Sequence, residues 1–368
     1  PDSVSIGKVY KNAGYDTGYI GKWHVNGNGR SNYIPETHRQ GFDFFKVLEC
    51  THNYTHSAYY DNNDPEKKYW KGYDAFAQTE EAVHYMEEHA NGEKPFVLFL
   101  SWGPPHSPYE VVPEEFLNLD KDITLRPNVP DQMKEKATRD LKGYYAHITA
   151  LDRCVGMLQD AIKRLGVEED TIFVLTSDHG DMLGSQGLEC KQKPYEESIM
   201  VPFLLKYPAI FGKKGKEVET ILSSVDIMPT LLGMSNVTVP ESVEGKDLSP
   251  ILRGEITDFT EMALIECIAP FGEWERDKGG KEYRGVRTRR YTYVRDLLGP
   301  WLLYDNQEDP YQLRNLVHEV GYKHLQEQLD EKLFSSLKEH GDPFLEGEYY
   351  IKQWGYTVNS KGTVEYTP

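Results

Sequence analysis

TIFVLTSDHG, residues 171–180, sets four consecutive apolar side chains between two threonines and then stops on Ser177-Asp178-His179-Gly180. A short unbroken apolar run of this kind fits a strand covered on both faces, and its polar end puts a carboxylate and an imidazole at the strand tip. Gly180 is read as permitting a tight turn there. Upstream, Leu141, Tyr145, Ile148, Leu151, Val155, Leu158, Ile162 and Leu165 recur at spacings of three and four, which predicts one apolar face of a long helix ended by Gly166.

The same grammar recurs towards the front. A helix over residues 4–11 leads through Gly14 into a strand over 15–21, which delivers Gly21-Lys22-Trp23-His24 to its tip. A helix over 74–89 ends near Asn91-Gly92, and PFVLFLS, residues 95–101, then runs as a buried strand into Pro104-Pro105-His106. VPFLLK, residues 201–206, reads as one more strand. Alternating helices and apolar strands predict an α/β fold with a mainly parallel central sheet flanked by helices. After about residue 255 the texture becomes alternating and rich in Arg and Tyr, as over 283–294, and a helix follows near 325–337. The expected organisation is therefore a larger unit over 1–254 and a smaller one over 255–368, an antiparallel sheet plus helix with an irregular tail from Asp342.

Composition removes several function classes. The 368 residues carry 41 Lys and Arg against 59 Asp and Glu, a net charge of −18, so sequence-independent nucleic-acid binding is not expected and an anionic ligand needs a local positive site. No apolar run approaches the roughly 20 residues of a membrane helix. Cys50, Cys154, Cys190 and Cys267 lie far apart with no metal-ligand spacing and are read as free thiols. Oligomeric state leaves no trace in the sequence.

Three polar clusters thus fall at strand ends, where open α/β sheets gather their binding groups, and they point to one active site. Lys22 and His24 lie two apart on an extended segment, so both can face one side and grip an anion. His106 follows a proline corner whose rigidity can fix an imidazole for proton transfer. Asp178 and His179 suit a divalent metal. Lys191 follows Asp178 by thirteen residues across a loop containing Gly184 and Gly187, which can return the lysine to that metal.

GYDTGYIGKWH at 14–24, PFVLFLSWGPPHSPY at 95–109, and TSDHGDMLG with YEESIMVPFLL at 176–205 resemble the type I sulfatases of the alkaline phosphatase superfamily in order and spacing. VEGKDLSPILRG at 243–254, RGVRTRRYTYV and LYDNQEDPYQLRNL at 284–316 extend the resemblance over nearly the whole chain. It implies hydrolysis of sulfate esters, with Lys22 contacting the sulfate, His24 bonded to the nucleophile, His106 protonating the leaving group, Lys191 on a sulfate oxygen, and Asp178 and His179 at a Ca²⁺-like cation. It also implies a formylglycine nucleophile, made from the Cys or Ser of a C/S-x-P-x-R motif. No such motif precedes Lys22 and none of the four cysteines lies in one. The expectation is that the nucleophile segment lies upstream of Pro1 and that these residues alone are inactive. Family resemblance further implies a periplasmic or secreted protein.

For substrate, ECTHNYTH at 49–56 offers groups for sugar hydroxyls, and His52 and Asn53 are the candidate binders. Trp102 or Trp274 could stack on a ring. Arg287, with Arg284, Arg289 and Arg290, is a candidate for neighbouring sulfates on a polysaccharide. A sulfated carbohydrate is therefore the expected substrate. Two other readings remain: a phosphodiesterase or phosphonate monoester hydrolase of the same superfamily, which Asp178-His179 would suit, and a non-catalytic homologue that binds sulfated glycans.

Overall fold

The computed structural model describes residues 4–26, 29–118, 122–257 and 261–364. Its main sheet has five strands, β1 (Asp16–Lys22), β2 (Phe44–Leu48), β3 (Ala58–Asp61), β4 (Asp64–Tyr69) and β5 (Phe96–Ser101), in the order 4-3-2-1-5. β1 runs parallel to both β2 and β5, while β3 and β4 add an antiparallel ribbon at the far side. The α/β class is as expected, but the sheet is mixed. Only two residues separate β3 from β4, too few for the helical crossover that parallel pairing demands. A second departure concerns β6 (Phe173–Thr176) and β7 (Phe203–Lys206), which pair antiparallel with each other.

β5 and β6 are half-buried along their apolar stretches, not buried as their composition implies. β5 stands at the edge of its sheet, so one side of the strand has no ladder among the described residues. Helix 74–89 is placed as predicted. The long helix spans Lys134–Arg164, and its buried residues are Ala137, Gly143, Ala146, His147, Ala150, Cys154, Leu158, Ala161 and Ile162. Tyr145 and Ile148, expected to face the core, are exposed. The reason is close packing: a Cβ on Gly143 would come within 2.3 Å of the Tyr109 carbonyl oxygen. Only small side chains fit that contact, so the larger ones are displaced to its margins.

The C-terminal sheet has the order 11-10-9-8, made of β8 (Met262–Cys267), β9 (Tyr283–Thr288), β10 (Tyr291–Asp296) and β11 (Gly299–Asp305), all antiparallel. Helix Lys323–Glu339 covers it through Leu329, Leu333 and Leu337, packed on Val286, Tyr293 and Leu303. The segment after Asp342 is not irregular throughout. Residues Gly347–Gln353 form a helix, and the Asp342 carboxylate accepts from the wholly buried Arg284 guanidinium, which tethers the tail to the sheet.

Candidate active site

The three strand ends do meet. Gly21 is held at φ +104°, and a Cβ there would lie 2.1 Å from the Ser101 carbonyl oxygen, so glycine lets the end of β1 press against β5. Lys22 then follows at the tip, and its Nζ donates to Asp178 Oδ2 across 3.3 Å, joining the first cluster to the third. Burial raises the pKa of Asp178, but the charges of Lys22 and His179 outweigh it and pull the carboxyl below its ordinary range. His24 follows with φ 55°, a left-handed conformation uncommon outside glycine and characteristic of strained functional positions.

Gly180 does something other than turn the chain. Its φ is not positive; its N–H donates to Ser198 O at 3.0 Å, and an added Cβ would meet Glu197 O at 2.0 Å. The residue is a point of close approach that seats the Asp178-His179 loop on the 195–198 turn. His179 Nδ1 donates to Gly180 O at 2.8 Å, and Nε2 lies 3.7 Å from Asp178 Oδ2; in the neutral tautomer that this fixes, Nε2 would carry the lone pair. A backbone-anchored imidazole of this tautomer beside a carboxylate is a metal-competent pair. It supplies two donors, whereas a hard cation asks for six or more; among the described residues no group of three or more His, Cys, Asp or Glu completes the set.

His106 forms the other half of the site. Its Nδ1 is 2.9 Å from Ser107 O, so Nε2 is an acceptor, and Lys191 Nζ donates to it at 2.6 Å. Lys191 also pairs with Glu273 Oε2 at 2.9 Å. The His106 ring meets His179 edge-on at 5.8 Å and stacks with His52 at 5.0 Å, the planes 10° apart. Desolvation, then neighbouring cations, lowers the pKa of all three histidines His24, His52 and His106, with His52 down to about 4. At neutral pH these rings are uncharged, and the positive charge rests on Lys22, Lys191 and Arg30, each of which acts on His24 and His52.

The proline corner is held from below. Tyr54, fully buried, donates its hydroxyl to His106 O at 2.7 Å, and its own carbonyl accepts from Asp74 N at 2.7 Å. Burial pushes the Asp74 carboxyl up to about 7. An Asp with a raised folded-state pKa retains its proton while the unfolded chain has lost it, so stability declines from about pH 4 to pH 7 and stays reduced above. Asp74→Asn is therefore expected to stabilise the fold above pH 7 by on the order of 2–4 kcal/mol, seen as a higher melting temperature, and to leave it unchanged near pH 4. Thermal melts of both proteins across that range check the sign.

Other candidates fall outside the cluster. Asn53 is turned into its own loop, where Oδ1 accepts from His56 N at 3.1 Å. Arg287 is held bidentate by Glu196, at 2.8 and 2.7 Å, and is not free for sulfate. Arg290 is similarly paired with Asp305, and Arg289 with Glu219. Trp274 is buried, and Trp102 packs in the core with its Nε1 donating to Thr79. Sequence reading missed Glu273, which stands in a turn without any motif and reaches the site only through the tertiary fold.

Comparison with known proteins accords with this geometry. Residues 1–237 match the Sulfatase family model, and residues 184–339 match that of the N-sulphoglucosamine sulphohydrolase C-terminal region. An ulvan-active sulfatase of Formosa agariphila is 40% identical over 96% of this chain and 70% of its own length. An endo-4-O-sulfatase of Bacteroides thetaiotaomicron is 32% identical over 93% and 75%, respectively. Among solved structures, a 4S-sulf protein described with glycosaminoglycan metabolism in Bacteroides thetaiotaomicron superposes with TM-score 0.82 at 29% identity, covering 96% of this chain and 79% of that one.

Proposed function

The chain belongs to the sulfatase family of the alkaline phosphatase superfamily, hydrolases of sulfuric esters, and from that premise we propose that it removes sulfate from a sulfated polysaccharide, ulvan being the first to try. The observation that carries the reading is the convergence of Lys22–Asp178 at 3.3 Å with His106–Lys191 at 2.6 Å, which draws two cations to one point in a chain of net charge −18. Lys22 and Lys191 bind the sulfuryl oxygens and offset the charge that grows on them in the transition state. His24, neutral at the rim, accepts or returns a proton on the nucleophile's side. His106 passes a proton to the leaving oxygen, and His52, stacked on it, lines the sugar's path.

Asp178 and His179 would hold the divalent cation, Ca²⁺ in this reading, whose chemistry is to polarise the sulfuryl oxygens. The same reading also requires further oxygen donors and a formylglycine nucleophile, which the described residues do not supply. A periplasmic or secreted location goes with polysaccharide as substrate, and no described helix is long and apolar enough to cross a membrane.

Full-length protein supplied with Ca²⁺ is expected to release sulfate from ulvan oligosaccharides and from 4-nitrophenyl sulfate, and to leave bis(4-nitrophenyl) phosphate nearly untouched. Ion chromatography for sulfate and absorbance for nitrophenolate decide it. Preferential cleavage of the diester would move the protein to the phosphodiesterases of the superfamily. Sulfated glycan bound without turnover would make it a binding homologue.

A further inference from the structure

Glu273 lies in a turn between β8 and β9, over eighty residues from the loop it touches, yet its carboxylate is 2.9 Å from Lys191 Nζ. That lysine thus stands between two groups, ion-paired with Glu273 Oε2 and donating a hydrogen bond to His106 Nε2 at 2.6 Å. The contact is not isolated. Glu273 N donates to Gln192 Oε1 at 3.2 Å, Lys193 Nζ donates to Glu273 O at 3.1 Å, and Tyr283 OH donates to Gln192 O at 3.2 Å. Lys193 also lies over the Trp274 ring, 5.4 Å from its centroid.

This loop needs such restraint. The residues flanking Lys191, Cys190 at φ 59° and Gln192 at φ 73°, both sit in the left-handed region that non-glycine side chains avoid. Conformations of that sort persist only where the surroundings over-determine them. The surroundings here are supplied by the C-terminal sheet.

Resting on the sulfatase reading above, we propose that Glu273 is a positioning residue for proton delivery to the leaving alcohol, holding Lys191 Nζ against His106 Nε2. In this step the proton passes from Lys191 Nζ to His106 Nε2 and from there to the leaving oxygen. An oxygen nucleophile, water in the net reaction, forms its bond to sulfur as the ester S–O bond breaks with its electron pair on the leaving oxygen, and the proton the nucleophile loses restores Lys191. Neither nitrogen can do this if Nζ drifts, because His106 Nε2 begins as a lone pair and depends on Lys191 for its proton.

The test uses substituted phenyl sulfates, from 4-nitrophenyl to 4-methoxyphenyl, with full-length wild-type protein, Glu273→Ala and Glu273→Gln. A 4-nitrophenolate leaves without help, whereas a 4-methoxyphenolate needs the proton. For Glu273→Ala, kcat is expected to fall about 30- to 100-fold on the 4-methoxyphenyl ester and less than about threefold on the 4-nitrophenyl ester. Glu273→Gln, which keeps an acceptor for Nζ, is expected to recover part of the loss. The ratio of the two rates within one preparation is independent of how much of a variant has folded. An equal loss on both esters, or no loss on either, overturns the positioning role. Turnover by the wild-type protein separately decides the sulfatase reading, and a wild type inactive on every sulfate would remove both.

Discussion

Replacing Lys191 with alanine in the full-length protein is expected to lower kcat/KM for sulfate esters by about 10²–10³-fold or more, the size of loss seen when one preorganised charge-stabilising group is removed. Two effects act in the same direction. The variant loses a cation that faces the sulfuryl oxygens, and it leaves the Glu273 carboxylate, previously paired at 2.9 Å, confronting an anionic substrate. His106 Nε2 is stripped of its donor as well. Glu273 Oε2 is buried, so the variant also lowers the melting temperature by leaving that carboxylate unpaired, and the signature is a kinetic loss in protein still folded at the assay temperature. A change in kcat/KM below tenfold would take Lys191 out of the chemistry.

The second large effect is expected at Asp178. Asp178→Asn keeps an oxygen but loses the charge, and with it the carboxylate that this strand tip sets beside His179. Full-length wild-type protein should melt at a higher temperature in millimolar Ca²⁺ than in chelator, since a ligand that binds only the native state stabilises it by mass action. In the variant that difference should vanish, and sulfate release should fall by at least about 10³-fold with it. Retention of the Ca²⁺-dependent rise would place the cation elsewhere. The Lys22 partner is freed in the same substitution, which gives the variant a bare cation near the sulfate and argues against any rise in KM as the main effect.

Much of this site was legible from the sequence, for a physical reason. Lys22 ends one strand, His106 and Asp178 follow closely on two apolar runs that read as strands, and strand ends are where α/β folds gather their binding groups. Their convergence followed from local pattern plus that one rule. What failed needed knowledge of partners. Arg287 reads as a free cation on an alternating strand, but Glu196, ninety residues earlier, occupies it. Gly180 reads as a turn residue, and only the nearness of Glu197 O reveals a packing requirement instead. On helix Lys134–Arg164, Leu158 and Ile162 are buried as read, but Tyr145 and Ile148 are exposed, because periodicity weighs large apolar residues while the contact near Gly143 selects small ones. Glu273 carries no signal at all until the two sheets are assembled.

That small-residue face has a bearing on how the protein can change. Gly143, Ala146, Ala150 and Cys154 lie along one seam with Tyr54, Val112 and Phe116, and Tyr54 in turn holds the carbonyl of His106. At Gly143 an added Cβ would meet the Tyr109 carbonyl oxygen at 2.3 Å and must be absorbed by shifting that backbone, which follows His106 by three residues. Redesign for heat tolerance by filling volume here would therefore trade against turnover, whereas the cluster of Leu329, Leu333 and Leu337 on the far sheet can be repacked without that coupling. Variation in this chain should be freest on the outer sheet and narrowest along the seam.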